Sequence, residues 1–257
     1  MIDPLYTLSG FVVGALVGLT GVGGGSLMTP LLVVLFGIHP ATAVGTDLLY
    51  AACTKSVGTL VHARRETIDW RITGQLAMGS LPAATFMLLL LSQLDVQTTA
   101  VSRVITPVLA VVILLTVLLL LFQGQFLRAL GPRAAGLSPR WLTALTVASG
   151  VVLGVLVTLT SVGAGALGVS VLSLLYPRLP MVRIVGSDIA HAIPLTLLAG
   201  VGYWYLGAVD WMLLGSLLSG SVPGVIVGSL LATRVPTVVL RGMLAATLTL
   251  VAGKLLV

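Results

Sequence analysis

Charged side chains are scarce in this chain. They account for 8% of its 257 residues, against about 25% in an average soluble domain. Hydrophobic residues make up 58% of the chain, and the mean hydropathy is +1.16. This composition excludes an ordinary water-soluble fold and predicts an all-α protein that crosses a membrane several times. The length is enough for roughly six to eight crossing helices of about 20 residues each.

Side chains that perform enzyme chemistry are also few. The chain contains one cysteine, Cys53, which excludes an internal disulfide and lies in an apolar run, where we expect a packed core residue. Three histidines and seven acidic residues are too few for a metal cluster, and no HExxH or GxSxG pattern occurs. Residues 163–168 spell GxGxxG but follow no predicted strand, so they do not predict a dinucleotide site. We therefore expect no enzyme activity, no cofactor and no metal.

Basic residues exceed acidic ones and give a formal net charge of +6. They stand singly or in small groups between apolar runs, a pattern typical of residues that orient a membrane protein rather than bind nucleic acid. The expected partners are the lipid bilayer and a small solute, with no nucleic acid. The sequence specifies no oligomeric state.

Eight apolar runs divide the chain into two halves of four runs each. The runs cover residues 5–37, 41–61, 72–92, 100–122, 141–176, 184–206, 211–233 and 236–257. A more polar segment with several glycines and prolines joins the halves. We predict a first membrane repeat over residues 1–122, a cytoplasmic connecting loop over residues 123–140, and a second membrane repeat over residues 141–257.

The two halves are copies of one unit. Residues 14–27, GALVGLTGVGGGSL, recur as residues 154–167, GVLVTLTSVGAGAL, with 9 of 14 positions identical. Residues 69–82 recur as residues 210–223 with 7 of 14 positions identical. Paired glycine interruptions in corresponding apolar segments are the best sequence indication of a transporter binding site.

The first apolar run of each copy is too long for one crossing helix. A continuous helix over residues 5–37 would measure about 50 Å, beyond a hydrocarbon core of about 30 Å. We expect this run to break at the glycines of residues 21–25. The two shorter helices would then meet as a re-entrant pair, and the second copy would do the same.

Re-entrant pairs would place most arginines on one membrane face, which the positive-inside rule assigns to the cytoplasm. These arginines are Arg64, Arg65, Arg71, Arg128, Arg133, Arg140, Arg178, Arg183 and Arg234. Three full crossings remain in each copy. Because three is an odd number, we predict two inverted-topology repeats of four hydrophobic segments each, with both termini outside.

The two glycine turns form the predicted substrate site. Their backbone cannot face lipid, so it has to be buried in protein or line a wet cavity. New helices begin near Ser26 and Ala166, and two helix N-termini with free N–H groups would bind an anion. The alternative is that the glycines serve only close helix packing. The predicted substrate-binding residues are Thr20, Gly21, Gly23, Gly24, Gly25, Ser26, Lys55, Ser80, Thr160, Ser161, Gly163, Gly165 and Ser221.

Four ionisable residues refine this prediction. Lys55 lies about mid-depth in its apolar run, where an unpaired charge is expensive, and Thr196 stands at the equivalent position. We expect Lys55 to favour an anion or, alternatively, to pair with an acidic residue for stability. Asp47 and Asp188 occupy equivalent positions, and His191 lies one helical turn after Asp188. These three are candidates for proton coupling, with helix capping as the alternative for the aspartates.

A proline follows a Gly-Ser pair in the third run of each copy. Pro82 and Pro223 are predicted to kink or open their helices at the depth of the glycine turns. Ser80 and Ser221 would then reach the cavity. Matched kinks suit a hinge-like motion of one half against the other.

These motifs resemble those of a known family. Gly21-Val22-Gly23-Gly24-Gly25, Pro30 after it and the run His39-Pro40-Ala41-Thr42-Ala43-Val44-Gly45-Thr46 are similar to the first repeat of the sulfite exporter TauE/SafE family, which has transporters of the 4-toluene sulfonate uptake permease type. Residues 161–165, 185–188 and 220–223 resemble its second repeat. The resemblance covers nearly the whole chain. Ala164 and Ser170 depart from the family pattern, which makes the first turn the stronger candidate for ligand contact.

The resemblance implies a secondary transporter in a prokaryotic inner membrane, for sulfur-containing anions such as sulfite or sulfonates. Combined with the glycine turns, it predicts that a small oxyanion or organosulfonate crosses by alternating access, with proton coupling as an option. An anion channel that uses the glycine turns as its selectivity filter is the alternative.

Overall fold

The computed structural model describes residues 3–20, 27–64, 67–134, 136–231 and 237–256. These residues form ten α-helices and no strands. The helices are α1 (Pro4–Thr20), α2 (Met28–Phe36), α3 (Pro40–Arg64), α4 (Trp70–Leu91), α5 (Thr99–Ala134), α6 (Pro139–Thr160), α7 (Ala166–Leu175), α8 (Met181–Tyr205), α9 (Trp211–Leu231) and α10 (Thr237–Leu256). The predicted all-α class is confirmed.

Over the described residues, five helices are long and apolar enough to cross a membrane. They are α4, α5, α6, α8 and α9. This finding confirms a polytopic membrane protein. Helix α6 has 22 residues and so measures about 33 Å, which is enough to cross a bilayer core. The re-entrant course of the first run in each copy therefore stays a prediction.

The first apolar run of each copy, residues 5–37 and 141–176, contains two helices. In the first run, α1 ends at Thr20 and α2 begins at Met28; residues 21–26, between them, lie outside the described part of the chain. In the second run, α6 ends at Thr160 and α7 begins at Ala166.

Helix α5 is longer than a bilayer core requires. Its 36 residues measure about 54 Å at 1.5 Å per residue, so part of it extends beyond a core of about 30 Å. Because α5 continues to Ala134 and α6 begins at Pro139, much of the segment 123–140 that the sequence suggests as a loop is helical. Helices α4 and α9 also continue through Pro82 and Pro223 as single helices.

Two helix pairs pack at very close range. Helix α4 runs parallel to α6, with Gly154 against the backbone of Ser80. Helix α1 runs parallel to α9, with Gly14 against the backbone of Ser221. A Cβ atom at either glycine would overlap backbone atoms of the facing helix, so a larger residue would force the helices apart. The two contacts occupy equivalent positions in the repeat.

Helices α3 and α8 pack against each other and run antiparallel. Gly45, near the start of α3, lies against Ala208, just beyond the end of α8. At the other end, the Asp69 N–H, beyond α3, donates to the Ser187 hydroxyl near the start of α8 at 2.8 Å. These two helices carry the buried ionisable residues of both copies.

Cys53, on α3, is exposed, so the prediction of a packed core residue is wrong. The flanking Ala51 and Ala52 are buried, so this exposed position borders the core. An apolar sequence context does not distinguish the core of a membrane protein from its lipid-facing surface, because both are apolar.

Candidate functional site

Lys55 is buried and contacts the second copy. Its side chain is 5% exposed, and its ammonium Nζ donates to the Ala164 carbonyl oxygen at 2.9 Å. Ala164 belongs to the non-helical segment between α6 and α7. The ammonium thus satisfies one carbonyl of a backbone segment that no helix stabilises, which an apolar side chain cannot do.

The segment 161–165 turns sharply. Ser161 ends α6 with φ of 58°, and Gly163 and Gly165 have φ of 125° and 127°. Glycine adopts such angles without the steric penalty of a Cβ atom, which explains its recurrence at these two positions. The segment and the first residues of α7 are buried. The α7 N-terminus therefore starts inside the protein.

Asp47, on α3, binds the first turn of α2. Its carboxylate Oδ2 accepts from the Thr29 N–H at 3.1 Å and from the Thr29 hydroxyl at 2.6 Å. Asp47 is fully buried, and its second oxygen, Oδ1, has no hydrogen-bond partner among the described residues. A carboxylate at a helix N-terminus is stabilised by free N–H groups and by the helix dipole. The anion at this N-terminus is therefore a side chain of the protein.

Asp188, the equivalent residue on α8, lies against the first turn of α7. A Cβ atom at Gly168 would collide with its Oδ1 atom. The side chain is fully buried, and the Gly165 N–H lies near its carboxylate but outside hydrogen-bond geometry. Asp188 thus lies at the start of α7 as Asp47 lies at the start of α2, but Asp188 forms fewer hydrogen bonds.

Lys55 lies in the electrostatic field of both carboxylates. Asp188 and Asp47 each attract its ammonium, although neither forms an ion pair with it in the described structure. One ammonium and two ionised carboxylates leave an excess of one negative charge. Burial of such an excess is unfavourable unless a proton or a bound cation neutralises it.

Two equivalent polar pairs flank this centre. The Ser80 hydroxyl of α4 and His191 Nε2 of α8 are hydrogen-bonded at 2.7 Å. At the equivalent positions, the Tyr50 hydroxyl of α3 approaches the Ser221 hydroxyl of α9 without hydrogen-bond geometry. All four side chains are buried. Each pair joins one copy of the repeat to the other. Only the pair of Ser80 and His191 forms a hydrogen bond.

The structure brings together six of the predicted site residues around the second turn and its neighbours. They are Lys55, Asp47, Asp188, His191, Ser80 and Ser161. Thr160 is buried and its hydroxyl caps the end of α6, donating to the Leu156 carbonyl at 2.7 Å and accepting from the Val162 N–H at 3.1 Å.

Other predicted residues are placed differently. A side chain at Gly163 would meet Val157 and Leu167, so this glycine faces apolar neighbours. Gly165 directly precedes α7. Ser221 is buried opposite Tyr50. Gly21, Gly23, Gly24, Gly25 and Ser26 lie outside the described residues, as does the side chain of Thr20.

Sequence reasoning missed Thr29 and Tyr50. Tyr50 occupies the position equivalent to His191, so alignment of the two copies contains the signal that identifies it. Thr29 has no such signal, because its role depends on how α3 packs against the start of α2. The role of the Ala164 carbonyl could not be predicted either, because every residue type has a backbone carbonyl.

The fold and the site define a polytopic, all-α membrane protein with a buried polar centre between two sequence copies. Residues 6–255 match the family model described as sulfite exporter TauE/SafE. The chain belongs to this family and is a membrane transporter, as the sequence motifs predict.

Several relatives carry the same general description. The chain is 41% identical over 215 residues to the probable membrane transporter protein YjnA of Bacillus subtilis, covering 83% of this chain and 84% of that one. It is 29% identical over 223 residues to the probable membrane transporter protein YdhB of the same organism, covering 84% and 85%. It is 26% identical over 203 residues to the probable membrane transporter protein MJ0441 of Methanocaldococcus jannaschii, covering 77% and 70%. No solved structure gives a significant match.

Proposed function

We propose that this chain is a secondary transporter that moves a small sulfur-containing oxyanion or organosulfonate by alternating access, coupled to protons. The observation that carries the proposal is the buried Lys55, whose ammonium donates a hydrogen bond to a turn of the opposite copy at 2.9 Å and is attracted by two buried carboxylates. An intramembrane ionisable cluster of this kind is expensive to maintain and is typical of a substrate or proton pathway.

Charge balance supports coupling of the anion to protons. With both carboxylates ionised, the centre has an excess of one negative charge and repels an anion. Protonation of Asp47 or Asp188 removes this excess and leaves the Lys55 ammonium to attract the substrate. We therefore expect the anion and at least one proton to bind together.

Helix geometry supports the same conclusion. The Thr29 N–H at the start of α2 is held by the Asp47 carboxylate. A substrate oxyanion that reached this helix terminus would have to displace that carboxylate. Protonation weakens the hold of Asp47 on these donors, because a neutral carboxyl group accepts hydrogen bonds less strongly than a carboxylate. Proton uptake would thus prepare the site for the substrate.

The arrangement of the two copies supports alternating access. Helices α3 and α8 are equivalent in the repeat and pack antiparallel, as expected of copies with inverted topology. We place the protein in a prokaryotic inner membrane with both termini outside. Rocking of one copy against the other would open the Lys55 centre first to one side and then to the other.

Transport in proteoliposomes tests the proposal. Purified protein is reconstituted, and the uptake of sulfite, thiosulfate, sulfoacetate and taurine is measured with and without an inward proton gradient. We expect saturable uptake of at least one of these anions, stimulated by the proton gradient, and counterflow when the unlabelled anion is present inside.

Two results would contradict the proposal of a proton-coupled secondary transporter. Conductance at channel rates without saturation or counterflow would favour the alternative, an anion channel with a glycine-turn filter. Uptake that is indifferent to the proton gradient in the wild type and in the Asp47→Asn and Asp188→Asn variants would exclude proton coupling. Liposomes with Lys55→Ala should lose uptake, and liposomes with the matched variant Thr196→Ala serve as the control.

A further inference from the structure

A cavity lies apart from the Lys55 centre, where α4 and α6 begin. Its volume is about 320 Å³. Arg71 and Gln75 of α4 line one side, and Pro139 and Thr143 of α6 line another. Because α4 and α6 run parallel, both helix N-termini lie at the same end of the pair, beside this cavity.

Aromatic residues place this cavity at a membrane interface. Trp70 begins α4, and Trp141 lies three positions into α6; both are 66% exposed. Exposed tryptophan at the ends of membrane helices is typical of the headgroup region, where the indole contacts lipid and water together. The cavity therefore opens at the level of the lipid headgroups.

Arginine occurs both in the lining of the cavity and beside it. Arg71 lines it, and Arg140 adjoins the lining residue Pro139. Both arginines are exposed and have no ion pair among the described residues. Asp69 also lines the cavity, but its carboxylate caps the start of α4 and pairs with Arg183 at 3.6 Å. The Arg71 guanidinium thus remains at the cavity to hold an anion, and Arg140 is next in sequence to the lining residue Pro139.

The lining of the cavity contains both polar and apolar side chains. Gln75 Nε2 donates to the Thr143 hydroxyl at 3.2 Å, and the Tyr176 hydroxyl donates to Gln75 Oε1 at 3.3 Å. Ile72 and Leu142 supply part of the wall. A ligand with an anionic, hydroxylated head and hydrocarbon attached matches this division better than a free inorganic ion does.

The equivalent position on α9 in the second copy lacks the arginine of α4. Asp210 caps the start of α9 through the N–H groups of Met212 and Leu213, as Asp69 caps α4. Met212 stands where α4 has Arg71. The start of α9 is thus capped without an arginine, so the capping of α4 does not require Arg71, which is available for a ligand.

We propose that this cavity binds the phosphodiester headgroup of an anionic phospholipid, with Arg71 and Arg140 on the phosphate. Basic cavities between membrane helices at the cytoplasmic side are suited to such headgroups. Guanidinium groups bind phosphate oxygens in a bidentate manner, and the free N–H groups at the start of α6 add to the attraction. The acyl chains would run along the lipid-facing side of α4 and α6.

Native mass spectrometry of the delipidated protein tests this inference. Dioleoylphosphatidylglycerol, dioleoylphosphatidylcholine or inorganic phosphate is added, and bound species and the midpoint of thermal unfolding are measured. The wild type should retain the anionic lipid in preference to phosphatidylcholine, by on the order of 10-fold for two arginines at a headgroup. Inorganic phosphate should neither bind nor stabilise at the same concentration.

The variant Arg71→Gln/Arg140→Gln should lose this preference. The matched control is Arg103→Gln/Arg128→Gln, which removes two exposed arginines of α5 and should keep it. Equal preference in both double variants would overturn the inference. Stabilisation by inorganic phosphate equal to that by the lipid would also overturn it, in favour of a free oxyanion.

A photoactivatable phosphatidylglycerol tests the wild type directly and does not depend on whether a variant folds. Crosslinks should fall on residues 137–143 and on the start of α4. Crosslinks confined to other helices would overturn the inference.

Discussion

At equivalent positions of the two central helices, the first copy carries Tyr50 and Lys55, whereas the second carries His191 and Thr196. The aspartates at 47 and 188 and the serines at 80 and 221 are shared by both copies. The backbone arrangement is therefore repeated, while the ammonium and the imidazole each occur once. The two halves are similar in sequence, but they differ in the ionisable groups that they place at these buried positions.

Among the variants that test this comparison, replacement of Lys55 should cause the largest loss of stability and transport. Lys55→Ala leaves the Ala164 carbonyl without its donor and two buried carboxylates without their counter-charge, so we expect about 3–5 kcal/mol of destabilisation and loss of transport. The matched change, Thr196→Ala, removes only a bond within α8 to the Ala192 carbonyl at 2.8 Å and should cost about 1 kcal/mol. Unfolding in detergent and uptake in liposomes measure both. Similar losses in the two variants would contradict the asymmetry.

The glycine contacts test whether the two copies pack alike. Gly14→Ala and Gly154→Ala each insert a methyl group against the backbone of the facing helix, so each should destabilise by about 1–3 kcal/mol through overpacking. Thermal unfolding of both variants in the same detergent provides the comparison. A loss confined to one of them would show that the two contacts are not equivalent. Gly74→Ala, at a position with open space around it on α4, serves as the control.

The two aspartates should respond unequally. Asp47→Asn weakens two hydrogen bonds from Thr29, so we expect about 1.5 kcal/mol of destabilisation. Asp188→Asn alters a carboxylate whose nearby donor, the Gly165 N–H, is outside hydrogen-bond geometry, so it should destabilise less than Asp47→Asn. Both variants should make transport less dependent on the proton gradient. A larger loss of stability in Asp188→Asn would contradict the capping role of Asp47.

The smallest effect is expected at the flanking serines. Ser80→Ala removes the bond of 2.7 Å to His191 and should cost about 1 kcal/mol. Ser221→Ala removes a hydroxyl that has no partner in the described structure and should change stability by less than about 0.5 kcal/mol. Thermal unfolding measures both. The reverse order would mean that Tyr50 and Ser221 form the stronger pair.

Much of the fold follows from the sequence because it depends on local composition. The length of residues 5–37 predicts that a single helix cannot continue, and two helices are found there. The second copy behaves in the same way because its glycines recur at 163 and 165. Packing between helices, such as Gly154 against Ser80, is harder to predict from the sequence, because it depends on which helices meet.

The site is only partly encoded in recognisable patterns. Lys55 and Asp47 stand out because ionisable residues are rare in apolar runs. Their partners are a backbone carbonyl at Ala164 and the N–H and hydroxyl of Thr29. Sequence alone does not reveal such partners, because tertiary contacts set them and every residue carries a backbone carbonyl. The exposed Cys53 illustrates the same limit, since core and lipid-facing positions share one composition.

Calorimetric titration of the purified transporter with sulfite, thiosulfate, sulfoacetate and taurine at two pH values tests the central claim most directly. If one proton binds with each anion, the affinity should rise by up to about tenfold for each unit by which pH falls, and binding should be lost in Lys55→Ala. Unaltered binding in Lys55→Ala, or an affinity that does not change with pH, would contradict the claim that a protonated, lysine-centred site binds the anion.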